Sequence, residues 1–137
     1  MAISIRKVRK LNQVVLLDAQ VFDYEQDSPV AIDGVHWWVA FDKDTPVAYA
    51  GIKPVNEKVA FLCRAGVLPS HRGKGLQTKL IRTRLAWAKK HGFKQVITYT
   101  VVDNPVSSNN LIRCGFKLYV PEWKWVGSEA LYWTRTL

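Results

Sequence analysis

The hydrophobic pattern of the chain changes its period at Pro69, and no other feature of the sequence constrains the fold as strongly. Before Pro69, three apolar and β-branched runs are separated by turns at 43–45 and 56–57, which predicts a meander of three antiparallel strands. After Pro69, apolar residues recur at steps of three and four with Lys and Arg between them, which predicts an amphipathic helix. A chain of this kind packs helices against a sheet.

Strand and helix patterns alternate through the rest of the chain. Asn104 and Pro105 favour the start of a further, short helix, and Gly92 and Gly115 suit the ends of the two helices. The predicted strands cover 2–10, 36–42, 46–54, 58–68, 94–102, 116–125 and 130–137, the predicted helices cover 11–24, 76–90 and 105–113, and a loop or short helix covers 25–34. The predicted fold class is α/β, with a mixed, mostly antiparallel central sheet of about six to seven strands flanked by helices.

The length and the cysteine count favour a simple organisation. A chain of 137 residues with 48% hydrophobic residues suits one domain, expected to span 1–137. Cys63 and Cys114 lack the spacing of a metal site and are too few for a disulfide framework, so free thiols in a reducing compartment are expected. We find no leader pattern and no long apolar run, which favours a cytoplasmic protein without a membrane partner. The scattered histidines predict no metal site.

Positive charge is concentrated in the middle of the chain. Between Asp18 and Glu57, eight acids stand against two lysines, whereas ten Lys and Arg and no acid lie between Lys58 and Val102. Such a block attracts an anion. The charge alone leaves open a nucleic acid, a phosphorylated cofactor, or a solvated surface with no specific partner.

A glycine loop joins the third strand of the meander to the basic helix, with the sequence VLPSHRGKGL at residues 67–76. Gly73 and Gly75 permit a tight turn and leave backbone N–H groups free at the positive end of the helix, where phosphate binds well. A nucleotide-hydrolase P-loop is excluded, because Leu68 stands where its first Gly is required. The dinucleotide fingerprint is excluded too, since Thr78 stands at its third Gly.

A second motif, at residues 104–116, points to a family. Its sequence NPVSSNNLIRCGF fits the pattern N-x-x-[AS]-x(7)-G-F, and the glycine loop fits V-x-P-x-x-R-G-x-G-[ILY]. With both patterns in this order, the chain resembles the GNAT superfamily of acyl-CoA-dependent N-acyltransferases. The order of strands and helices extends the resemblance over nearly the whole chain, and it does not identify the acceptor.

The resemblance implies how acetyl-CoA, the acetyl donor, would lie along the third strand of the meander. Backbone groups of Ala65, Gly66 and Val67 would hydrogen-bond its pantetheine arm like an added strand. One of these N–H groups would polarise the thioester carbonyl. Asn104 would contact the same arm at the start of its helix.

The phosphates of acetyl-CoA would lie at the glycine loop. By the resemblance, the backbone N–H groups that wrap the pyrophosphate would belong to Arg72, Gly73, Lys74, Gly75, Leu76 and Gln77. The side chains of Lys74 and Lys79 would meet the 3′-phosphate of the adenosine. This cofactor would account for the anion-seeking block without nucleic acid.

The usual catalytic side chains of the superfamily are missing. The Tyr that often protonates the departing thiolate falls at Leu111, and the usual Glu base falls near Phe61. Attack of an amine on a thioester needs mainly proximity, a deprotonated amine and oxyanion stabilisation, so acid and base can act through water. Tyr99 is a candidate base, and Asn104 is kept with it as a candidate catalytic residue. The alternatives are a packed strand aromatic for Tyr99 and a helix cap for Asn104.

The expected function is N-acetyl transfer from acetyl-CoA to a primary amine by direct attack in a ternary complex. One alternative is a catalytically silent domain that binds acyl-CoA or a protein partner. Another is a basic nucleic-acid-binding domain, for which the helix over 76–90 would supply the charge. Aromatic residues in the two closing strands also leave a homodimer open.

Acidic and aromatic residues suggest a class of acceptor. Carboxylates in the segment that lines the acceptor groove of the superfamily would suit a small cationic amine or a protein or peptide amine. These carboxylates are Asp23, Glu25, Asp27 and Asp33. His36, at the start of a strand near this segment, is a further candidate base.

Overall fold

The computed structural model describes residues 2–22 and 33–137. The helices of this part of the chain are α1 (Asn12–Val21), α2 (Leu76–Lys90) and α3 (Pro105–Arg113), and a 3-10 turn covers Pro69–His71. The strands are β1 (Ile3–Val8), β2 (His36–Asp42), β3 (Thr45–Pro54), β4 (Val59–Val67), β5 (Gln95–Val101), β6 (Lys117–Leu118) and β7 (Ala130–Thr136). Among these described residues, no helix combines the length and the apolar character that crossing a membrane requires.

The strands form one seven-stranded sheet in the order β1-β2-β3-β4-β5-β7-β6. Neighbouring strands are antiparallel except β4 and β5, which are parallel. Parallel neighbours need a crossover connection, and α2 supplies it. This architecture confirms the predicted fold class.

Alternating residues of β2 show how the helices cover the two faces of the sheet. Trp37 and Val39 belong to the core beside α1, whereas Trp38 and Ala40 belong to the core that contains the apolar residues of α2 and α3. Successive strand residues point to opposite faces, so α1 lies on one face and α2 and α3 lie on the other.

A buried carboxylate anchors α1 to the sheet. Asp18 is fully buried and accepts hydrogen bonds from the hydroxyl of Tyr49 on β3 and from Arg64 Nε on β4, the latter at 2.8 Å. The Arg64 guanidinium also lies 4.0 Å from the centroid of the Phe22 ring. These contacts fix the end of α1 against β4.

The predicted strand over 116–125 is wrong beyond its first residues. Only Lys117–Leu118 pair with β7, and turns follow. Pro121 has no N–H to donate to a ladder, so it interrupts a strand at this point. The Tyr132 hydroxyl instead holds the turns by donating to the carbonyl of Gly127 at 2.8 Å. The predicted antiparallel pairing of the closing strands is correct, but it is short.

The first strand and the first helix each begin one residue after the predicted start and are shorter than predicted. Strand β1 covers Ile3–Val8 within the predicted 2–10, and α1 ends at Val21 rather than at 24. Phe22 is already extended, with ψ of 129°, which ends the helix. The loop or short helix was predicted over 25–34, and residues 25–32 of this range lie outside the described residues.

Candidate active site

A cleft opens in the sheet where β4 and β5 separate. The two strands form only three residue pairs, the last of them between Phe61 and Ile97. At the fork, Thr98 Oγ1 donates to the carbonyl of Leu62 at 2.9 Å and satisfies this carbonyl where the ladder ends. Beyond the fork, residues of β4, β5, α2 and α3 line a cleft of about 460 Å³. We call this space the cleft.

The edge of β4 that borders the cleft carries free backbone groups. Leu68 donates its N–H to the carbonyl of Val47 on β3 at 2.9 Å. Because alternate residues in a strand direct their N–H and C=O to opposite sides, those of Val67 and Ala65 point towards the cleft. The Val67 carbonyl accepts a bond from Arg72 Nε at 3.1 Å. Among the described residues, the N–H groups of Ala65 and Val67 have no acceptor and are available for a ligand.

Gly66 lies between these two residues and has a different role. By the same alternation, its N–H and C=O point towards β3. A Cβ on Gly66 would lie 2.8 Å from the ring of Tyr49 and 2.9 Å from Val21. The glycine therefore makes room for the Tyr49 side chain that binds Asp18.

Two glycines in the left-handed region shape the loop before α2. Gly73 has φ of 74° and Gly75 has φ of 79°, and a Cβ on either would meet nothing within 4 Å. They are needed for their backbone conformation rather than for space. Within the described chain, no side chain caps the start of α2, and the N–H groups of 73–78 have no acceptor. We call residues 72–77 the anion loop, because its open N–H groups favour an anion.

Two side chains of the anion loop, those of Arg72 and Lys74, are exposed, whereas Leu76 is buried. Arg72 forms bonds within the protein, since its Nε donates to the Val67 carbonyl and its backbone N–H lies 3.5 Å from the Pro69 carbonyl. Lys74 and Lys79 are exposed, and neither forms an ion pair with any described residue. Their ammonium groups are free to meet a phosphate.

Hydrogen bonds of His71 fix the start of the anion loop on the sheet. Its Nε2 lies 2.8 Å from Oδ2 of Asp42 at the end of β2, and its Nδ1 lies 2.7 Å from Oγ of Ser70. The hydrogen bond with His71 lowers the pKa of Asp42. This pairing ties the 3-10 turn to β2, so the position of the loop depends on the sheet.

Helix α3 contributes the opposite wall of the cleft. Asn104 lines the cleft and also caps the helix, since its side-chain carbonyl accepts the N–H of Ser107 at 3.2 Å. The side chain of Gln77 accepts a hydrogen bond from Asn110 Nδ2 at 3.0 Å, which ties the start of α2 to α3. Leu111 is 5% exposed and lines the cleft, and its side chain has no proton to give.

An aromatic group forms the wall near the fork. The rings of Phe61 and Tyr99 are nearly parallel, at 12° and 6.3 Å between centroids. Trp125 stands perpendicular to both, at 5.4 and 5.6 Å. Tyr99 is 37% exposed and lines the cleft, and its hydroxyl has no hydrogen-bond partner in the described ranges. The hydroxyl is therefore accessible to a ligand or to water.

The predicted acidic wall is mostly outside the described residues. Asp23, Glu25 and Asp27 all lie there, and Asp33 lies in a turn before β2. Among the described residues, those lining the cleft include two arginines and no carboxylate. His36 does not line the cleft, because its ring packs 4.5 Å from that of Trp87 on α2.

Arg84 is a cleft residue that the sequence analysis missed. It is 3% exposed, donates from Nε to the carbonyl of Leu80 at 3.1 Å, and donates from Nη1 to the carbonyl of Gly51 at 2.9 Å. Burial lowers its pKa to about 10, so the guanidinium stays charged at neutral pH. A signal existed in the sequence: Leu80, Arg84 and Ala88 are spaced by four, which puts this arginine on the apolar stripe of the helix.

Both cysteines are free thiols, and burial raises the pKa of each. Cys63 lines the cleft, while Cys114 follows α3. In residues 2–22 and 33–137, no group of three or more His, Cys, Asp and Glu could hold a metal ion.

The chain is similar in sequence to known acetyltransferases. The family model described as "Acetyltransferase (GNAT) family" matches residues 7–116, which is more than half of the chain. A curated protein, probable N-acetyltransferase 14 of Xenopus tropicalis, is 27% identical over 92 residues, which are 66% of this chain and 44% of that protein. The chain thus spans less than half the length of this relative.

Solved structures share the fold over almost the entire chain. IAA acetyltransferase of Bacillus cereus has a TM-score of 0.82 at 15% identity, with 99% of this chain and 100% of that chain covered. An N-acetyltransferase of Thermoplasma acidophilum, solved in complex with coenzyme A, has a TM-score of 0.80 at 16% identity, with 100% of both covered. At these identities the likeness is one of fold. The family match over residues 7–116 shows that the chain belongs to the GNAT family of acetyltransferases.

Proposed function

We propose that the protein transfers an acetyl group from acetyl-CoA to a primary amine, by direct attack of the amine in a ternary complex. One observation carries the proposal: among the described residues, the N–H groups at 73–77 of the anion loop have no acceptor, and the loop leads into a cleft whose β4 edge offers further backbone N–H groups. This combination suits a ligand with a pyrophosphate at one end and an extended amide-containing arm at the other. Acetyl-CoA has this form.

The proposed cofactor site uses backbone groups at each step. The N–H groups of the anion loop bind the pyrophosphate, and Lys74 and Lys79 meet the 3′-phosphate. The N–H groups of Ala65 and Val67 bind the pantetheine arm, and Asn104 contacts it from α3. Gly66 contributes indirectly, by holding β4 against Tyr49.

The proposed reaction needs little from side chains. The amine nitrogen attacks the thioester carbonyl, and a β4 N–H stabilises the oxyanion that forms. The C–S bond then breaks and the electron pair goes to sulfur. The proton that the amine loses passes to water, with the Tyr99 hydroxyl as relay, because this hydroxyl is accessible in the cleft.

The aromatic wall supports an amine as acceptor. Phe61, Tyr99 and Trp125 present ring faces and edges near the fork. Ring faces attract a cationic amine before it is deprotonated. Small cationic amines and amines of proteins or peptides both meet this description.

The test measures binding first and chemistry second. Acetyl-CoA, CoA and dephospho-CoA are titrated into the protein by calorimetry, and thiol release is then followed with a panel of polyamines, amino acids and peptides. We expect acetyl-CoA and CoA to bind, and dephospho-CoA to bind more weakly because it lacks the 3′-phosphate. Thiol release with one class of amine identifies the acceptor. Absence of binding by every CoA species contradicts the proposal.

A second candidate function, binding of acyl-CoA without catalysis, is favoured by Leu111. The side chain at this position lines the cleft and cannot protonate a thiolate. This function predicts that acetyl-CoA binds, and that no amine releases thiol above the rate without protein.

A further inference from the structure

Arg84 is a buried charge for which the described chain provides no opposite charge. None of the described carboxylates forms an ion pair with it, and its Nη2 has no acceptor among them. Cys63 on β4 and Cys114 after α3 lie near enough to interact with it electrostatically. Because burial raises the pKa of both thiols, they are neutral at neutral pH and do not balance the guanidinium. Buried charges are ordinarily paired or bind a ligand.

The position of Arg84 indicates which ligand group it would meet. It lines the cleft together with Leu80, Ile81 and Leu111, on the side of the sheet that α2 and α3 cover. Its two hydrogen bonds to main-chain carbonyls hold the guanidinium beside Gly51 of β3, opposite the bulge that β4 forms between Leu62 and Ala65. A fixed cation in a site shielded from water stabilises a developing negative charge strongly.

We propose that Arg84 stabilises the thiolate of coenzyme A as it leaves, in place of the acid that Leu111 cannot be. This inference rests on the proposed function. In the step concerned, the new C–N bond has formed, the C–S bond breaks and its electron pair goes to sulfur. The thiolate pairs with the Arg84 guanidinium and later takes a proton from water, and the product is CoA with a free thiol. Arg84 donates no proton in this scheme.

A pH titration of bound CoA tests this role by measuring the pKa of its thiol, and it requires no acceptor. The ultraviolet absorbance of the thiolate is followed against pH for CoA on the wild-type protein, with desulfo-CoA as the blank that cancels Cys63 and Cys114. An opposite charge in contact lowers a pKa by about one to three units. We expect a shift in this range below the thiol pKa of free CoA, and its loss in Arg84→Met.

Two further variants separate charge from structure. Arg84→Lys keeps a cation on the same helix, so it should retain part of the shift until the buried ammonium loses its proton as the pH rises. Arg82→Met is the matched control, because Arg82 is an exposed arginine of α2 that does not line the cleft. It should leave the thiol pKa unchanged. With any amine that turns over, Arg84→Met should lower kcat about 100-fold with little change in KM for acetyl-CoA.

The outcomes distinguish this inference from the proposed function. If acetyl-CoA and desulfo-CoA bind but the CoA thiol has the same pKa bound and free, the role of Arg84 is overturned and the cofactor site stands. A carboxylate on the acceptor would then be the better partner for Arg84. If no CoA species binds the wild type, the proposed function and this inference both fail. The wild-type measurement decides even if Arg84→Met does not fold.

Discussion

The two ends of the cleft are built from different parts of the chain. At the mouth, the anion loop consists of backbone N–H groups from consecutive residues, shaped by Gly73 and Gly75. At the floor, the side chains of Tyr99, Leu111 and Arg84 come from β5, α3 and α2. A site made of consecutive backbone groups leaves a motif in the sequence. A site assembled from three elements leaves only single residues, whose meaning depends on the fold.

The largest expected effect tests the mouth. Gly75→Val puts a β-branched side chain at a φ of 79°, which distorts the backbone N–H groups of the anion loop. Charge-assisted hydrogen bonds contribute about 1.5–3 kcal/mol, so their loss should weaken CoA binding roughly 10- to 100-fold. Calorimetry measures this change in affinity. Gly92→Val is the matched control, since Gly92 ends the same helix at a φ of 86° with open space around it. Equal CoA affinities in the two variants would contradict the loop assignment.

The second effect concerns Gly66, which lies next to the glycine loop but whose role is in packing. Gly66→Ala puts a Cβ 2.8 Å from the buried Tyr49 ring. Overpacking of this kind costs about 1–3 kcal/mol, measured as a lower free energy of unfolding in urea. Gly73→Ala would meet no atom within 4 Å, so any stability it loses comes from its φ of 74° and not from a clash. If Gly66→Ala is as stable as the wild type, the packing role is refuted.

The fold could be predicted well because its signals are local. The alternation of β2 and β3, the apolar stripe of α2 and the Asn104 cap each depend on neighbouring residues. The strand predicted over 116–125 failed because β6 stops before Pro121 and side-chain bonds of Tyr132 replace a ladder.

The candidate site could be predicted only in part. Gly73, Gly75 and Asn104 were visible from their motifs. Arg84 is one of the ten Lys and Arg of the basic block, and its burial could not be predicted because it depends on the approach of Gly51 on β3 to α2. The role of Gly66 could not be seen either, because Tyr49 is distant in the sequence and meets it only across β3 and β4.

A smaller effect tests the floor of the cleft. Tyr99→Phe removes the accessible hydroxyl and keeps the ring contacts with Phe61 and Trp125. We expect kcat to fall roughly tenfold, because water continues to carry the proton. This loss is smaller than the loss expected on removing a residue that acts directly as general acid or base. The pH–rate profile should change while the thermal midpoint stays the same. An unaltered profile would return Tyr99 to a packing role.

The smallest effect lies outside both ends of the cleft. Burial, with the charges of Lys7 and His91, lowers the pKa of His36 below 6.5. The folded state therefore resists protonation, so stability is full above pH 6.5 and decreases as the pH falls through this value towards the lower folded pKa. His36→Asn should lose less thermal stability than the wild type between pH 7 and 5. If thermal stability depends on pH in the same way in both proteins, the protonation of His36 is not linked to folding.

The three residue pairs between β4 and β5 also have a mechanical consequence. They are the whole ladder that joins a half-sheet of four strands to a half-sheet of three. The cleft is lined by Ala65 on one half and by Thr100 on the other, so a bound molecule would bridge the two. Its binding free energy therefore adds to the free energy that holds β4 and β5 together. If force is applied between the first and last strands, the protein with a bound ligand should need a higher force to unfold than the empty protein, because the ligand links the two half-sheets.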